Sequence, residues 1–119
     1  MRYLGYVPEA VLPGLVAGAA ALIYPSYYEG FGLPAAQAMA AGVPVVASNR
    51  SCLPEVVQDA GLLIDPDCVE ELSDAMQRIL CNADLARTLA TAGRRRSSTF
   101  RWSRCARESL EFFRDVSGR

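Results

Sequence analysis

Three short apolar segments, separated by stretches of helical length, most limit how this sequence can fold. The segments are 21–24 (ALIY), 43–47 (VPVVA) and 61–64 (GLLI), and each is followed by a proline or a polar residue. Segments that are apolar on both faces are typical of buried strands in a parallel sheet. Parallel strands that alternate with helices are joined by right-handed crossovers, which place the helices on the faces of the sheet. The sequence therefore predicts an α/β fold.

The segment between the first two predicted strands carries clear helix-boundary signals. Pro34 suits the first helical position, Gly42 suits the position just past the helix end, and Pro44 prevents the helix from continuing. A helix is therefore predicted over residues 34–41.

Three helices are predicted to close the chain. The first has an apolar stripe at helical spacing from Leu72 to Leu80, and Asp67 and Glu70 are placed like a capping box at its start. The second is predicted to end at Gly93. The remaining predicted elements are a strand over 2–7, helices over 8–18 and 54–58, and the two last helices over 84–92 and about 103–116.

The size of the chain fits one domain, since 119 residues can bury roughly two-thirds of their unfolded surface. Three or four strands are fewer than a complete doubly wound domain has. We therefore predict that residues 1–119 are a single, truncated domain built on a partial Rossmann-like parallel sheet. The longest apolar stretch, 15–24, is too short to cross a bilayer, and no signal peptide is visible. A cytoplasmic location is predicted.

The reactive side chains of the sequence exclude several kinds of chemistry. Histidine is absent, and the four cysteines show no C-x-x-C spacing, which argues against a zinc site. The cysteines are interpreted as reduced thiols. All twelve basic residues are arginines, so lysine-dependent Schiff-base and P-loop chemistry is excluded. No metal and no cofactor are predicted.

The loop before the predicted 34–41 helix combines features that suit a ligand with both phosphate and hydroxyl groups. Gly30 and Gly32 let the backbone approach a ligand closely, and the amides of Phe31, Gly32 and Leu33 lie at a helix N-terminus, which favours an anion. The carboxylate of Glu29 and the amide of Gln37 are suited to hydrogen bonds with hydroxyls. A phosphate flanked by hydroxylated rings describes a nucleotide-sugar.

The run "GYVPEAVLPGLVAGAAALIYPSYYEGFGLPAAQAMAAGVPVVASNRSCLPEVVQDAGLLIDP", residues 5–66, resembles the C-terminal, donor-binding domain of family 4 glycosyltransferases, which are retaining enzymes of the GT-B architecture. The likeness continues through "FRWSRCARESLEFF" and so covers nearly the whole chain. The family pattern carries two acids eight positions apart. Glu29 matches the first acid, which contacts the donor sugar, whereas Gln37 stands where the second acid holds the ribose hydroxyls.

The resemblance implies a function and its limits. It implies transfer of a hexose from a nucleoside-diphosphate sugar, such as a UDP- or GDP-sugar, to an acceptor hydroxyl with retention and without a metal. Glu29 would be the catalytic residue, and Tyr6 would lie beside the nucleobase. Family members hold the diphosphate with an arginine and a lysine that precede the matched region, and they bind the acceptor with an N-terminal domain. The chain alone is therefore expected to bind donor feebly and not to turn over, and the longer protein could lie peripherally on a membrane.

Two acidic features have competing interpretations. Asp65-Pro66-Asp67 spells the D-x-D by which another glycosyltransferase architecture binds manganese, but a proline turn before a helix also explains it and is the preferred interpretation. Glu55 follows a proline in the first turn of a short helix, where an acid is expected on helix-dipole grounds, and we interpret it as structural.

Charge is distributed unevenly: residues 1–86 hold three arginines and ten acids, whereas 87–119 hold nine arginines and three acids. The basic segment could bind nucleic acid or anionic lipid, but a solvated face, or a face that meets the absent N-terminal domain, is the preferred interpretation, and no nucleic-acid partner is predicted. Without that domain, the apolar stripe of the last helix (Trp102, Ala106, Leu110 and Phe113) would be exposed, and self-association would follow.

The alternative functions are a non-catalytic nucleotide or nucleotide-sugar binding module, including a subunit that depends on a partner, and a GT-B epimerase or phosphorylase.

Overall fold

A computed structural model describes residues 1–118 and contains a three-stranded parallel sheet. The strands are β1 (Leu22–Tyr24), β2 (Val45–Ser48) and β3 (Leu62–Ile64), in the order β1-β2-β3. Leu22 pairs with Val45, and Val46 pairs with Leu62. Each strand lies within two residues of its predicted position, and the α/β fold class is confirmed.

The helices flank the sheet and connect its strands. Gly42 ends α2 in a left-handed conformation with φ of 74°, as its type and position predict. Proline is found in the first turn of each of the first three helices, where its missing N–H costs nothing. Within residues 1–118 the α-helices are α1 (Leu12–Ala17), α2 (Leu33–Ala41), α3 (Leu53–Val57), α4 (Val69–Cys81), α5 (Ala83–Ser97) and α6 (Trp102–Ser117), and a 3₁₀ turn, Gln58–Ala60, follows α3.

The central strand β2 is buried throughout and separates two apolar cores. Val45 and Ala47 pack with residues of α2 and α3 on one face of the sheet. Val46 packs with Ile79 of α4 and Leu89 of α5 on the other face. Alternate side chains of a strand point to opposite faces, so an unbroken apolar strand serves both layers.

Several boundary predictions are wrong. The predicted strand 2–7 is not a strand in the described chain: Tyr3 and Tyr6 are 91% and 86% exposed, and β1 makes no ladder with this segment. A strand needs a paired neighbour for its backbone groups, and local β propensity does not supply one. The predicted helix 8–18 is shorter, because it begins at Leu12 and reaches only Ala17.

The predicted capping box before α4 does not form. Cys68 is the N-cap residue and makes no side-chain cap bond. The backbone N–H of Asp65 donates to Glu71 at 2.8 Å, and the N–H of Asp67 donates to the side chain of Asp65 at 3.0 Å. The acids of this segment therefore order the turn before the helix. The predicted stripe on α4 is also only partly buried, since Met76 and Leu80 are exposed.

Gly93 does not end a helix, contrary to the prediction. The helix α5 continues to Ser97, and Gly93 is buried where α5 crosses α2. A Cβ at this position would lie 3.3 Å from Cα of Met39. The glycine thus permits a close helix crossing, a requirement that is invisible in local sequence.

Candidate functional site

The carboxyl ends of the three strands place three loops along one edge of the sheet. The loops are 25–32 after β1, 49–52 after β2 and 65–68 after β3. All three strands are parallel, so these loops share the edge at which open α/β sheets bind ligands.

Glycine is required where the first loop enters α2. Gly32 is the N-cap of α2 with φ of 82°, and a Cβ there would lie 2.6 Å from Cδ2 of Leu53. The Gly32 carbonyl accepts from the N–H groups of Ala35 at 3.0 Å and Ala36 at 3.3 Å, which starts the helix. Within residues 1–118, no acceptor pairs with the N–H groups of residues 30–33. Unpaired amides at the positive end of a helix favour an anion.

The carboxylate of Glu29 is held by two hydroxyls from its own end of the sheet. Its Oε1 accepts from the phenol of Tyr24 at 2.5 Å and from the hydroxyl of Ser26 at 2.8 Å. These bonds, the Tyr24 bond foremost, lower the pKa of Glu29 below its ordinary value. Burial, and then the bond to Glu29, raise the pKa of Tyr24 to about 12. At neutral pH Glu29 is therefore a carboxylate, and no group of the described residues donates to its Oε2.

The loop after β2 contacts the main chain of Glu29. The side chains of Ser51 and Cys52 both donate to the Glu29 carbonyl oxygen. The first and second loops are therefore joined at Glu29, the predicted catalytic residue.

A second set of contacts joins the first loop to the segment that follows α5. The ring of Phe31 meets the ring of Phe100 edge-on, with centroids 5.1 Å apart, and the guanidinium of Arg96 lies over Phe100 at 4.7 Å. Arg96 also donates to the carbonyl oxygens of Val56 at 3.1 Å and Glu55 at 2.8 Å, near the end of α3, where carbonyl oxygens lack helical donors. Phe31 thus packs on a ring from the segment between α5 and α6, and Arg96 of α5 links that ring to the end of α3.

A groove of about 730 Å³ lies along the outer face of α2. Leu33 and Gln37, one turn apart, line it together with Phe31 from the loop, and α6 forms the opposite wall with Trp102. The carboxylate of Glu29 does not line this groove. The structure therefore brings Gln37 together with Phe31 and Leu33, and it leaves Glu29 at the neighbouring strand end.

The acids of the Asp65-Pro66-Asp67 segment are bound to protein groups. Arg50 donates to Asp65 at 2.8 Å and to Asp67 at 2.6 Å, and the phenol of Tyr27 donates to Asp67 at 2.5 Å. The backbone N–H of Asp67 and then Arg50 lower the pKa of Asp65. No group of three or more potential metal ligands occurs among the described residues. These contacts favour the interpretation of this segment as a turn.

Comparison with known proteins identifies the family. The profile of the family described as "Glycosyl transferases group 1" matches residues 1–96, most of the chain. The chain belongs to this family.

Relatives of this group 1 glycosyltransferase chain include named mannosyltransferases. It is 47% identical over 115 residues to the O-antigen chain mannosyltransferase B of Escherichia coli, an alignment that covers 96% of the chain and 30% of that protein. It is 39% identical over 112 residues to the MMP alpha-(1->4)-mannosyltransferase of Mycolicibacterium hassiacum, covering 91% of the chain and 27% of that protein.

A solved structure also resembles this group 1 chain. The sucrose-phosphate synthase from Thermosynechococcus elongatus superposes with a TM-score of 0.86 at 35% identity, and the match covers 98% of the chain and 30% of that protein. The chain therefore spans less than a third of the length of the relatives that it matches.

The structure distributes the predicted site residues of this group 1 chain over three places. The strand-to-helix loop contains Glu29, Gly30, Phe31 and Gly32, and Leu33 is the first residue of α2. Gln37 lies one turn further along α2, in the groove. Tyr6 is exposed in an irregular segment and lines neither the loop nor the groove. A role of Tyr6 beside a nucleobase stays a prediction.

Sequence reasoning missed several residues that organise the site. Glu29 is contacted by Tyr24, Ser26 and Ser51. The contact with Ser51 cannot be read from the sequence, because Ser51 belongs to a different loop. A signal was present, however: Tyr24 ends a predicted strand, and Ser26 and Ser51 lie in the loops that directly follow predicted strands. Polar side chains at that edge could have been named as candidates from the α/β pattern alone.

Proposed function

We propose that this chain is the donor-binding part of a retaining glycosyltransferase that transfers a hexose from a nucleoside-diphosphate sugar to an acceptor hydroxyl. The observation that carries the proposal is Glu29, an ionised carboxylate with one oxygen that receives no donor from residues 1–118. It lies beside a loop that leads into α2 and whose amides find no acceptor among the same residues. The amides would receive the diphosphate, and the carboxylate would accept hydrogen bonds from sugar hydroxyls.

The role of Glu29 in the reaction follows from its charge. Glycosyl transfer passes through a transition state with positive charge at the reacting carbon of the sugar, and a fixed carboxylate nearby stabilises that charge. Tyr24 and Ser26 hold the carboxylate in one orientation, so little reorganisation is needed when the charge develops. We expect the longer protein to supply the two cations for the diphosphate from a segment that precedes the matched region, and the acceptor site from an N-terminal domain.

The relatives favour mannose as the first sugar to test, since two of them are named mannosyltransferases. A thermal-shift panel of uridine, guanosine and adenosine diphosphates, each with and without its sugar, tests the proposal directly. We expect one nucleotide and its sugar to raise the Tm at millimolar concentration. The helix terminus contributes only about 0.3–1 kcal/mol per exposed charge, so calorimetry of the chain alone should show affinity weaker than micromolar.

A matched pair of variants assigns the effect to the site. In Glu29→Gln the sugar-dependent part of the shift should disappear, whereas in Glu55→Gln it should remain, because the Glu55 side chain is exposed on α3 and makes no contact with the loop. An equal response of both variants, or no response of the unmodified chain to any member of the panel, would contradict the proposed function.

Gln37 is the observation that favours the second candidate, a non-catalytic nucleotide-binding module. An amide stands where the family pattern has an acid, and a neutral hydrogen bond is about half as strong as a charge-assisted one. The two candidates differ in turnover by the longer protein, and a radiolabelled-sugar transfer assay distinguishes them.

A further inference from the structure

The side chain of Ser51 binds both main-chain polar groups of Glu29. Its hydroxyl donates to the Glu29 carbonyl oxygen at 2.9 Å and accepts from the Glu29 N–H at 3.3 Å. The thiol of Cys52 donates to the same carbonyl oxygen at 3.3 Å. A residue 22 positions further along the chain thus satisfies both backbone groups of Glu29.

The backbone of Ser51 is in a conformation that favours glycine. Its φ is 57°, and Gln58 is the other non-glycine residue with positive φ in the described chain. Glycine would adopt this conformation without steric cost, but it would provide neither of the two bonds to Glu29. The turn itself therefore does not explain a serine here, whereas the contact with Glu29 does.

We propose that Ser51 is a positioning residue that fixes the main chain of Glu29 so that its free carboxylate oxygen faces the hydroxyls of the donor sugar. The proposal rests on the proposed function. Tyr24 and Ser26 hold the carboxylate from the end of β1, and Ser51 holds the backbone of the same residue from the end of β2. Ser51 acts through Glu29 and makes no bond to the donor.

Ser51→Gly is the informative variant, because it removes the hydroxyl and also relieves the left-handed strain. A merely structural role predicts that function follows stability. Positioning predicts that the Tm is unchanged or raised, while the Glu29 N–H exchanges with solvent about tenfold faster, the equivalent of one lost hydrogen bond. Positioning further predicts that affinity for the sugar nucleotide falls several-fold and affinity for the sugar-free nucleotide does not. The nucleotide is the member of the panel above that stabilises the unmodified chain most.

Gln58→Gly is the matched control. Gln58 shares the positive φ, at 51°, but it follows α3 and makes no bond to the loops at the site. This variant should leave both the exchange of the Glu29 N–H and the ratio of the two affinities unchanged.

Two results for Ser51→Gly would overturn the proposal: an unchanged exchange rate at Glu29, or an equal loss of affinity for the nucleotide and its sugar. If the unmodified chain binds nothing in the panel, the proposed function fails by that result alone. The exchange rate of the Glu29 N–H in Ser51→Gly still tests the role of Ser51 in that case. Faster exchange supports the proposal that Ser51 fixes the main chain of Glu29, and unchanged exchange refutes it.

Discussion

The phenol of Tyr24, the last residue of β1, donates to the carboxylate of Glu29 across 2.5 Å. This bond lowers the pKa of Glu29, while burial, and then the same bond, raise the pKa of Tyr24. The bond requires a protonated phenol and an ionised carboxylate. It therefore contributes stability between the pH at which Glu29 protonates and the pH at which Tyr24 ionises.

This pair predicts a distinctive alkaline titration. The pKa of Tyr24 is raised from 10.0 to about 12, so its contribution is complete below pH 10 and is lost as the pH rises through about 12. In an absorbance titration of the five tyrosines, Tyr24→Phe should remove the step near pH 12. Tyr28→Phe is the control and should leave that step in place. If Tyr24→Phe instead removes absorbance change near pH 10 and keeps the change near pH 12, the raised pKa does not belong to Tyr24.

Tyr24→Phe should also change how stability depends on pH in the acid range. The folded-state pKa of Glu29 is lowered, so its contribution is present above the ordinary pKa and is lost as the pH falls through the lowered value. Without its first hydrogen bond, the pKa of Glu29 should rise toward the ordinary 4.5. NMR of the Glu29 carboxyl carbon measures this pKa directly. If the pKa is the same in Tyr24→Phe as in the unmodified chain, Ser26 alone lowers it.

Gly32→Ala should destabilise the chain by about 2 kcal/mol or more, because the residue has φ of 82° and a Cβ would strike Leu53. Gly30→Ala is the matched control two positions earlier, where a Cβ would meet nothing within 4 Å, and it should change stability by less than about 0.5 kcal/mol. Urea denaturation of both variants provides the comparison. Equal urea midpoints for Gly32→Ala and Gly30→Ala would show that the loop accommodates the added methyl group at position 32 without loss of stability.

Arg96→Met should lower the free energy of unfolding by about 1–2 kcal/mol, because two carbonyl oxygens at the end of α3 lose a charged donor. Methionine keeps an apolar stem against Phe100. Arg95→Met is the control: its guanidinium is exposed and lies 3.9 Å from Asp59, so the change should stay within about 0.5 kcal/mol. A similar loss in both variants would indicate a general charge effect.

Gln37→Glu should strengthen binding of the nucleoside diphosphate about fivefold, since a charge-assisted bond to the ribose replaces a neutral one. Isothermal titration with the nucleotide selected by the panel measures the change. Gln77→Glu, on the exposed side of α4, is the control and should have no effect. Unchanged affinity in Gln37→Glu would favour the non-catalytic module.

The chain by itself should self-associate through α6. Trp102 and Phe113 are 85% and 65% exposed, and every described residue of this helix is exposed. In sedimentation velocity, the average mass should rise with concentration, and Trp102→Ser combined with Phe113→Ser should abolish the rise. Leu80→Ser is the control: it removes an exposed apolar group from α4, and the average mass should still rise with concentration. A chain that stays monomeric at high concentration would contradict this prediction.

Residues 1–118 contain no helix that is both long enough and apolar enough to cross a bilayer. The cytoplasmic location, the single truncated domain and the retaining stereochemistry stay predictions.

The sequence by itself determined the α/β class, the three strands and the limits of α2. These depend on short-range signals: runs that are apolar on both faces, proline in the first helical turn, and glycine at position 42, where a left-handed backbone ends the helix. The same signals located Glu29 at a strand-to-helix loop, because the strand and the helix on either side of it were recognisable.

Only the tertiary structure decided which groups meet at that loop. Ser51 reaches Glu29, and Gly93 packs on Met39, across separations that no local pattern records. The strand predicted at 2–7 failed for the same reason, since a strand exists only where a second strand pairs with it. Local backbone preference acts within a few residues of the chain, whereas pairing, close crossing and side-chain contact depend on which distant segments the packed core brings together.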